Sequence, residues 1–253
     1  MFKRLTIFLY GVTSYAVFFA TFLYAVGFIG NFGVPRTLDS TPTSGFMTSL
    51  LVDLGLLGLF AIQHSVMARP AFKRWFTRAV PECAERSTYV LASSLALIAM
   101  FALWQPLGGS VWTAQDATLR GVIWGVFAFG WLLVLVATFL INHFDLFGLR
   151  QVWLQLIRRP YTHLAFGTPG PYRYVRHPLY VGWLMVFWAT PTMTLSHLVF
   201  AIATTAYILI AVQLEERDLI AQHGHLYADY RAQVPMIVPF TRKRFDDRAF
   251  IRR

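Results

Sequence analysis

Charge is scarce in this chain. Asp, Glu, Lys and Arg make up only 13% of its 253 residues, about half the share of a soluble domain. Cysteine is almost absent. Cys83 stands alone in a charged stretch read as a loop, which excludes an intramolecular disulfide and any cysteine-built metal cluster. No two histidines show the i, i+4 spacing of a helical two-His site, so no metal is expected. Internal repeats and low-complexity segments are missing as well. Acidic residues are fewer than basic ones, leaving a net charge of +10. The basic residues lie between apolar runs rather than in a stripe interleaved with base-stacking aromatics, so nucleic acid is not the expected partner.

What the chain has instead is apolar surface. Apolar residues reach 57% and the mean hydropathy is +0.53, more than a soluble core needs. A membrane span takes about 20 mostly apolar residues. Leu5–Ile29 is one, and it is too long for the apolar region of a signal peptide, so it reads as a retained helix. Phe46–Val66 is the second, with Asp53 and His64 inside it. Tyr89–Trp104 is a short third and Gly121–Ile141 the fourth. Leu179–Val212 is too long for one span, and Pro191 divides it among threonines. Proline cannot continue a regular helix cleanly, so two shorter helices in a re-entrant or tightly turned hairpin are expected. The expected fold class is therefore all-α: a polytopic helical bundle of five to six membrane segments. Residues 1–141 form a four-helix transmembrane region, and residues 142–253 hold a connection, the hairpin and a tail.

Orientation follows from Lys and Arg. With a cytosolic N-terminus, the external loops 31–45 and 105–120 hold only Arg36 and Arg120. The internal loop 67–88 holds Arg69, Lys73, Arg74, Arg78 and Arg86, and segment 142–178 holds Arg150, Arg158, Arg159, Arg173 and Arg176. A hairpin brings the basic tail inside too, so both termini are expected in the cytosol. The expected location is the cytoplasmic membrane of a bacterium, with the lipid bilayer as partner.

Four clusters carry chemistry. The first is Gly170-Pro171-Tyr172-Arg173-Tyr174-Val175-Arg176-His177-Pro178-Leu179-Tyr180-Val181-Gly182. Pro178 biases His177 away from helix and then opens the next one, which fixes Arg176 and His177 at the hairpin mouth. A helix start with a fixed Arg suits a carboxylate or phosphate. The rival reading is a snorkelling basic flank with Tyr anchors, but two prolines, a His and a Gly at this spacing favour a site. The second cluster is Glu215-Glu216-Arg217-Asp218-Leu219, either a binder of cations and ribose hydroxyls or a solvated helix start. His223-Gly224, Tyr227, Tyr230, Val234-Pro235 and Pro239 follow, read as a short amphipathic helix and an extended strap. The third runs from Asn142 to Trp153, where His143 and Asp145 either orient a base or cap an interface. The fourth is Gln63-His64-Ser65-Val66-Met67-Ala68-Arg69 at the end of span two. Ionisable groups within spans tend to be functional, though for Asp53 a packing role through hydrogen bonds is as reasonable.

The order Arg-His-Pro-x-Tyr-x-Gly, an apolar hairpin, Glu-Glu-x-x-Leu, His-Gly-x-x-Tyr-x-x-Tyr, Val-Pro and a later Pro, over residues 170–240, resembles the isoprenylcysteine carboxyl methyltransferase-like membrane family. The resemblance implies an S-adenosylmethionine site at the cytosolic face. It gives cofactor roles to Tyr172, Arg176, His177, Pro178, Tyr180, Gly182, Glu215, Glu216, His223, Gly224 and Tyr227. Leu9-Tyr10-Gly11, Phe28-Ile29-Gly30-Asn31 followed by Val34-Pro35, the Gln63–Arg69 element and the Asn142–Trp153 run are similar to the branch that methylates methanethiol to dimethyl sulfide. The NnrU-like branch shares a His-Ser and Ala-Arg element.

On that resemblance a small thiol is the expected substrate. Arg176 and His177 are assigned to the cofactor, Glu215 and Glu216 to its ribose or amino group, and His143 with Asp145 to the thiol pocket. Tyr10 and His64 are further catalytic candidates. The alternatives are a methyltransferase acting on a lipid or prenyl-cysteine, an NADPH-dependent membrane reductase, and a non-enzymatic NnrU-like factor.

Overall fold

Runs of about twenty apolar residues satisfy their own backbone hydrogen bonds only as helices once water is excluded. The computed structural model, which describes residues 1–239 and 241, is accordingly helical. Four long helices come first: α1 (Phe2–Gly30), α2 (Phe46–Ala68), α4 (Glu82–Leu103) and α5 (Ala117–Ile141), with the short α3 (Pro70–Phe76) after α2. Two short helices, α6 (His143–Leu146) and α7 (Leu149–Leu156), follow. After a 3-10 turn at Gly170–Arg173 come α8 (Pro178–Trp188), α9 (Leu195–His223) and α10 (His225–Gln233). Among the described residues five helices are long and apolar enough to cross a membrane, and α8 is a shorter apolar one. Their outward faces carry bare apolar side chains such as Leu51, Ile62, Val122 and Leu132, surface that lipid covers and water does not. The protein is an all-α integral membrane protein. The basic residues from Arg242 onward, which entered the charge count for orientation, lie outside the described residues.

The hairpin forms at Pro191. Helix α8 ends at Trp188 with Ala189 as its C-cap, and α9 starts when the Thr194 side chain accepts the His197 N–H at 3.1 Å, an ordinary N-cap. Between them Thr192–Thr194 (β2) pairs antiparallel with Ser110–Thr113 (β1), in register Trp112↔Met193 and Thr113↔Thr192. This ribbon was not expected from the sequence. It closes one face of the bundle together with Asp39, which bonds Asn31 and Thr194 and stands 3.5 Å from His197. Asp53 serves packing on that side, accepting the Gln105 N–H at 2.8 Å.

Helix α8 is pressed against α5 through glycine. A Cβ on Gly182 would fall 2.8 Å from the Gly130 carbonyl oxygen and 3.0 Å from the Val134 nitrogen, both backbone atoms. Small residues let membrane helices approach this closely. Helix α7 packs on α1 in the same way, with Val152 against Gly11. The core includes Phe28, Phe101, Trp131, Val186 and Phe200, drawn from α1, α4, α5, α8 and α9. At the face opposite the ribbon, α1, α4 and α8 begin while α2, α5 and α9 end, so the polar clusters of the sequence converge there.

Candidate functional site

The site is built where α8 begins. Pro178 occupies the first helical position, His177 is its N-cap, and the 3-10 turn ahead delivers Arg176 inward. The backbone there is clamped to the tail: the Arg176 N–H bonds the Pro235 carbonyl at 2.9 Å and the His177 N–H the Met236 carbonyl at 3.2 Å. The Val234–Pro239 strap thus pairs with the mouth of the hairpin.

Glu216 of α9 is the hub. Its Oε1 accepts from Arg176 Nε at 2.6 Å and lies 3.1 Å from His177 Nε2, while its Oε2 faces Arg231 Nε at 3.1 Å. The Arg176 guanidinium also donates to the carbonyls of Arg231 and Val234. A carboxylate only 2% exposed is sustainable because every neighbour is a donor and two are cationic. Sequence reasoning gave Arg176 and Glu216 separate ligand roles; they are each other's partners. Arg231 was missed, since a lone Arg in a polar helix carries no signal of its own.

Glu215, next in the chain, is different. Its side chain is 43% exposed, and Oε2 accepts from the Tyr180 hydroxyl at 2.8 Å. Tyr172, Tyr227 and Tyr230 close the wall. Tyr230 donates to the Tyr172 carbonyl at 2.5 Å. The Tyr227 hydroxyl is buried with no hydrogen-bond partner among the described residues. Burial pushes all three phenols above the usual tyrosine range, which keeps them neutral. His223 ends α9 with its ring 5.4 Å from Phe166. Gly224 links α9 to α10 at φ +58 with open space around it, a conformation that suits glycine. A cavity of 380 Å³ opens beside Arg176, lined also by Pro235, Met236, Ile237, Val238 and Thr241.

The remaining candidates sit elsewhere. Gly182 lies in the α5–α8 contact. Tyr10 bonds Thr88 of α4 at 3.0 Å. His143 is 4% exposed, held by Tyr15 at 2.8 Å and Thr138 at 2.9 Å and stacked on Phe139; burial lowers its pKa. Asp145 does not touch it. That carboxylate takes Arg150 at 2.8 Å and Tyr161 at 3.2 Å, because residues two apart on a helical turn face different ways. His64 meets Tyr89 and Ser93 of α4. Cys83 lies in the first turn of α4 rather than in a loop. Among the described residues no group of His, Cys, Asp and Glu is arranged to hold a metal.

The part of this arrangement from α5 to the end of α9 is matched by a family model described as phospholipid methyltransferase, over residues 124–224. Similarity to individual proteins runs over nearly the whole chain. It is 57% identical to the methanethiol S-methyltransferase of Crocosphaera subtropica, covering 96% of this chain and 95% of that protein. Identity is 52% with methanethiol S-methyltransferase 2 of Bradyrhizobium diazoefficiens, over 98% and 96% of the two chains. With the methanethiol S-methyltransferase of Mycobacterium tuberculosis it is 49%, over 94% and 98%. No solved structure matches. On identity of this depth, spanning the N-terminal helices as well as the Arg176–Glu216 site, the chain belongs to the methanethiol S-methyltransferase family.

Proposed function

We propose that this protein transfers a methyl group from S-adenosylmethionine to methanethiol, releasing dimethyl sulfide, with the donor held at the cytosolic mouth of the α8–α9 hairpin. The observation that carries the reading is a 380 Å³ cavity beside Arg176, at the helix end that also holds the half-exposed Glu215 and the unpartnered Tyr227 hydroxyl. A nucleoside cofactor needs a cavity of roughly 300–1,000 Å³ with a few convergent polar groups. Glu215 offers a half-exposed carboxylate for ribose hydroxyls, and Tyr227 a buried hydroxyl still lacking a partner. Arg176 adds positive charge, partly offset by Glu216, and His177 a ring nitrogen for the cofactor's carboxylate. Tyr172 and Tyr180 supply aromatic faces, which attract a sulfonium. Pro178, His223 and Gly224 set the backbone at the two helix ends that frame the site, and Gly182 fixes the depth of α8.

The bound donor supplies an electrophilic methyl on a cationic sulfur. The protein's task is alignment, since in-line displacement needs the reacting atoms held close. Two regions bear on the acceptor. The phospholipid methyltransferase match covers residues 124–224, which carry the cofactor residues except Tyr227, whereas the full-length relatives also match α1 to α4. Those helices hold Tyr10 and His64, and Tyr15 beside His143, so the small-thiol assignment rests on them.

Detergent-purified protein, S-adenosylmethionine and methanethiol, read by headspace dimethyl sulfide, test this directly. Product that depends on both substrates is expected. Stabilisation by NADPH and not by S-adenosylmethionine, with no product, would overturn it.

A further inference from the structure

One polar cluster lies outside the Arg176–Glu216 site and inside the membrane helices. His64 of α2 faces α4: the Tyr89 hydroxyl is 2.8 Å from His64 Nε2 and 3.1 Å from Nδ1, and Ser93 Oγ is 3.2 Å from Nδ1. Ser65 meets the Tyr207 hydroxyl of α9 at 3.2 Å. Gln63 reaches Ser93 at 3.4 Å, and its carbonyl oxygen is buried without a partner among the described residues. Polar groups concentrated at this depth are costly in lipid and mark function by default.

The cluster abuts the donor site. Arg69, at the end of α2, pairs with Asp218 at 2.8 Å. Tyr180, the partner of Glu215, lies within electrostatic reach of both Tyr207 and Tyr89, and Tyr89 within that of Glu215. The charged and titratable groups facing His64 and Tyr89 are Arg69 from the end of α2, Arg86 from α4, whose guanidinium lies 5.0 Å from the Tyr89 ring centre, and Tyr207 and Glu215 from α9. His143 is placed otherwise: both ring nitrogens are engaged by Tyr15 and Thr138 under a stacked Phe139, and it is buried. His64 is only partly covered, and its partner Tyr89 is 7% exposed.

The reaction needs a proton acceptor. The nucleophile is the thiolate and not the thiol, and a simple alkanethiol is mostly protonated near neutral pH. We infer that Tyr89 and His64 form the proton-accepting pair for the acceptor thiol. Ser93 Oγ accepts the Nδ1 proton of His64, which turns the Nε2 lone pair toward the Tyr89 hydroxyl. As the thiol sulfur forms its bond to the methyl carbon, the S–H bond breaks and its proton passes to the Tyr89 oxygen. The Tyr89 proton moves to His64 Nε2, and the electron pair of the broken sulfonium–methyl bond stays on the donor sulfur. The imidazolium returns its proton to solvent when products leave. This rests on the methyltransferase reading above and adds the acceptor side to it.

The test compares wild type, His64→Gln and Tyr89→Phe with two acceptors, methanethiol and the far more acidic 2,2,2-trifluoroethanethiol. Loss of general-base catalysis is worth about 100- to 10,000-fold, and that fall in kcat/KM is expected for methanethiol in both variants. The pre-ionised thiol should lose less than about tenfold on the same argument. The wild-type profile should rise less steeply with pH than the free-thiolate concentration does. That of H64Q should climb about tenfold per pH unit, tracking free thiolate. S-adenosylmethionine affinity by calorimetry should stay unchanged, and if one variant does not fold, the other carries the same comparison. Variants with wild-type rates and profiles would overturn the inference while leaving the methyltransferase intact. So would equal losses on both thiols together with lost donor binding, the signature of a structural role. A wild type that binds no donor and makes no dimethyl sulfide would overturn the parent reading instead.

Discussion

Arg176 and Glu216, forty positions apart, meet at 2.6 Å with side-chain exposures of 7% and 2%. Their contact joins the start of α8 to the end of α9, and Arg176 also bonds the carbonyls of Arg231 in α10 and Val234 in the strap. Removing one member of a buried pair leaves an unpaired charge, at a cost of about 3–5 kcal/mol. Glu216→Ala and Arg176→Ala are therefore expected to lose both donor binding and a large part of stability. Arg176→Lys should keep the charge but lose the fork of donors, and with it the strap. Thermal unfolding in detergent with and without S-adenosylmethionine checks this; variants as stable as wild type would contradict it.

The spans were legible because bilayer thickness imposes a length that apolar runs declare. Helix α4 was read from Tyr89 but starts at Glu82: its first turns carry Glu82, Glu85 and Arg86, polar residues that give no hydropathy signal. The break at Pro191 was legible from backbone chemistry. The β1–β2 ribbon was not, because its strands lie about 80 residues apart and long-range pairing leaves no local pattern. Within the site, the residues were visible as motifs and the partnerships were not. Arg176 with Glu216, and beside the site Arg69 with Asp218, are products of packing between distant elements, which spacing along one chain does not encode.

Glu215 is the carboxylate left available by that arrangement. Glu215→Gln preserves the shape and still accepts from Tyr180, so the fold should hold. It removes a charge-assisted hydrogen bond, worth about 1.5–3 kcal/mol. S-adenosylmethionine Kd should rise by roughly 10- to 100-fold, since 1.4 kcal/mol is about tenfold. Calorimetry on the purified variant measures it. An unchanged Kd would remove Glu215 from the donor site.

Gly182 tests whether its place is packing. A methyl there meets the Gly130 oxygen and the Val134 nitrogen, backbone atoms that cannot rotate aside. Gly182→Ala should destabilise by about 1–3 kcal/mol, the usual cost of overpacking, and Gly130→Ala by a comparable amount, because its Cβ would sit 2.9 Å from the Gly182 oxygen. If G182A weakened donor binding with no change in unfolding temperature, the glycine would belong to the cofactor site.

His143 makes a signed statement about acid. Burial lowers its pKa in the folded protein, while in the unfolded chain it titrates near the ordinary value of about 6.5. As pH drops below that value, the unfolded state takes up a proton that the folded state refuses, so stability falls. The loss continues until the pH reaches the lowered folded value, where both states are protonated and the slope vanishes. Above about 7 neither form is charged and the residue contributes no pH dependence. His143→Gln has no proton to take up, and its amide can still reach Tyr15 or Thr138. Unfolding temperatures at pH 7 and pH 5 should therefore drop less for H143Q than for wild type. Equal drops would mean that another group sets the acid sensitivity, and that His143 opens to water before it titrates.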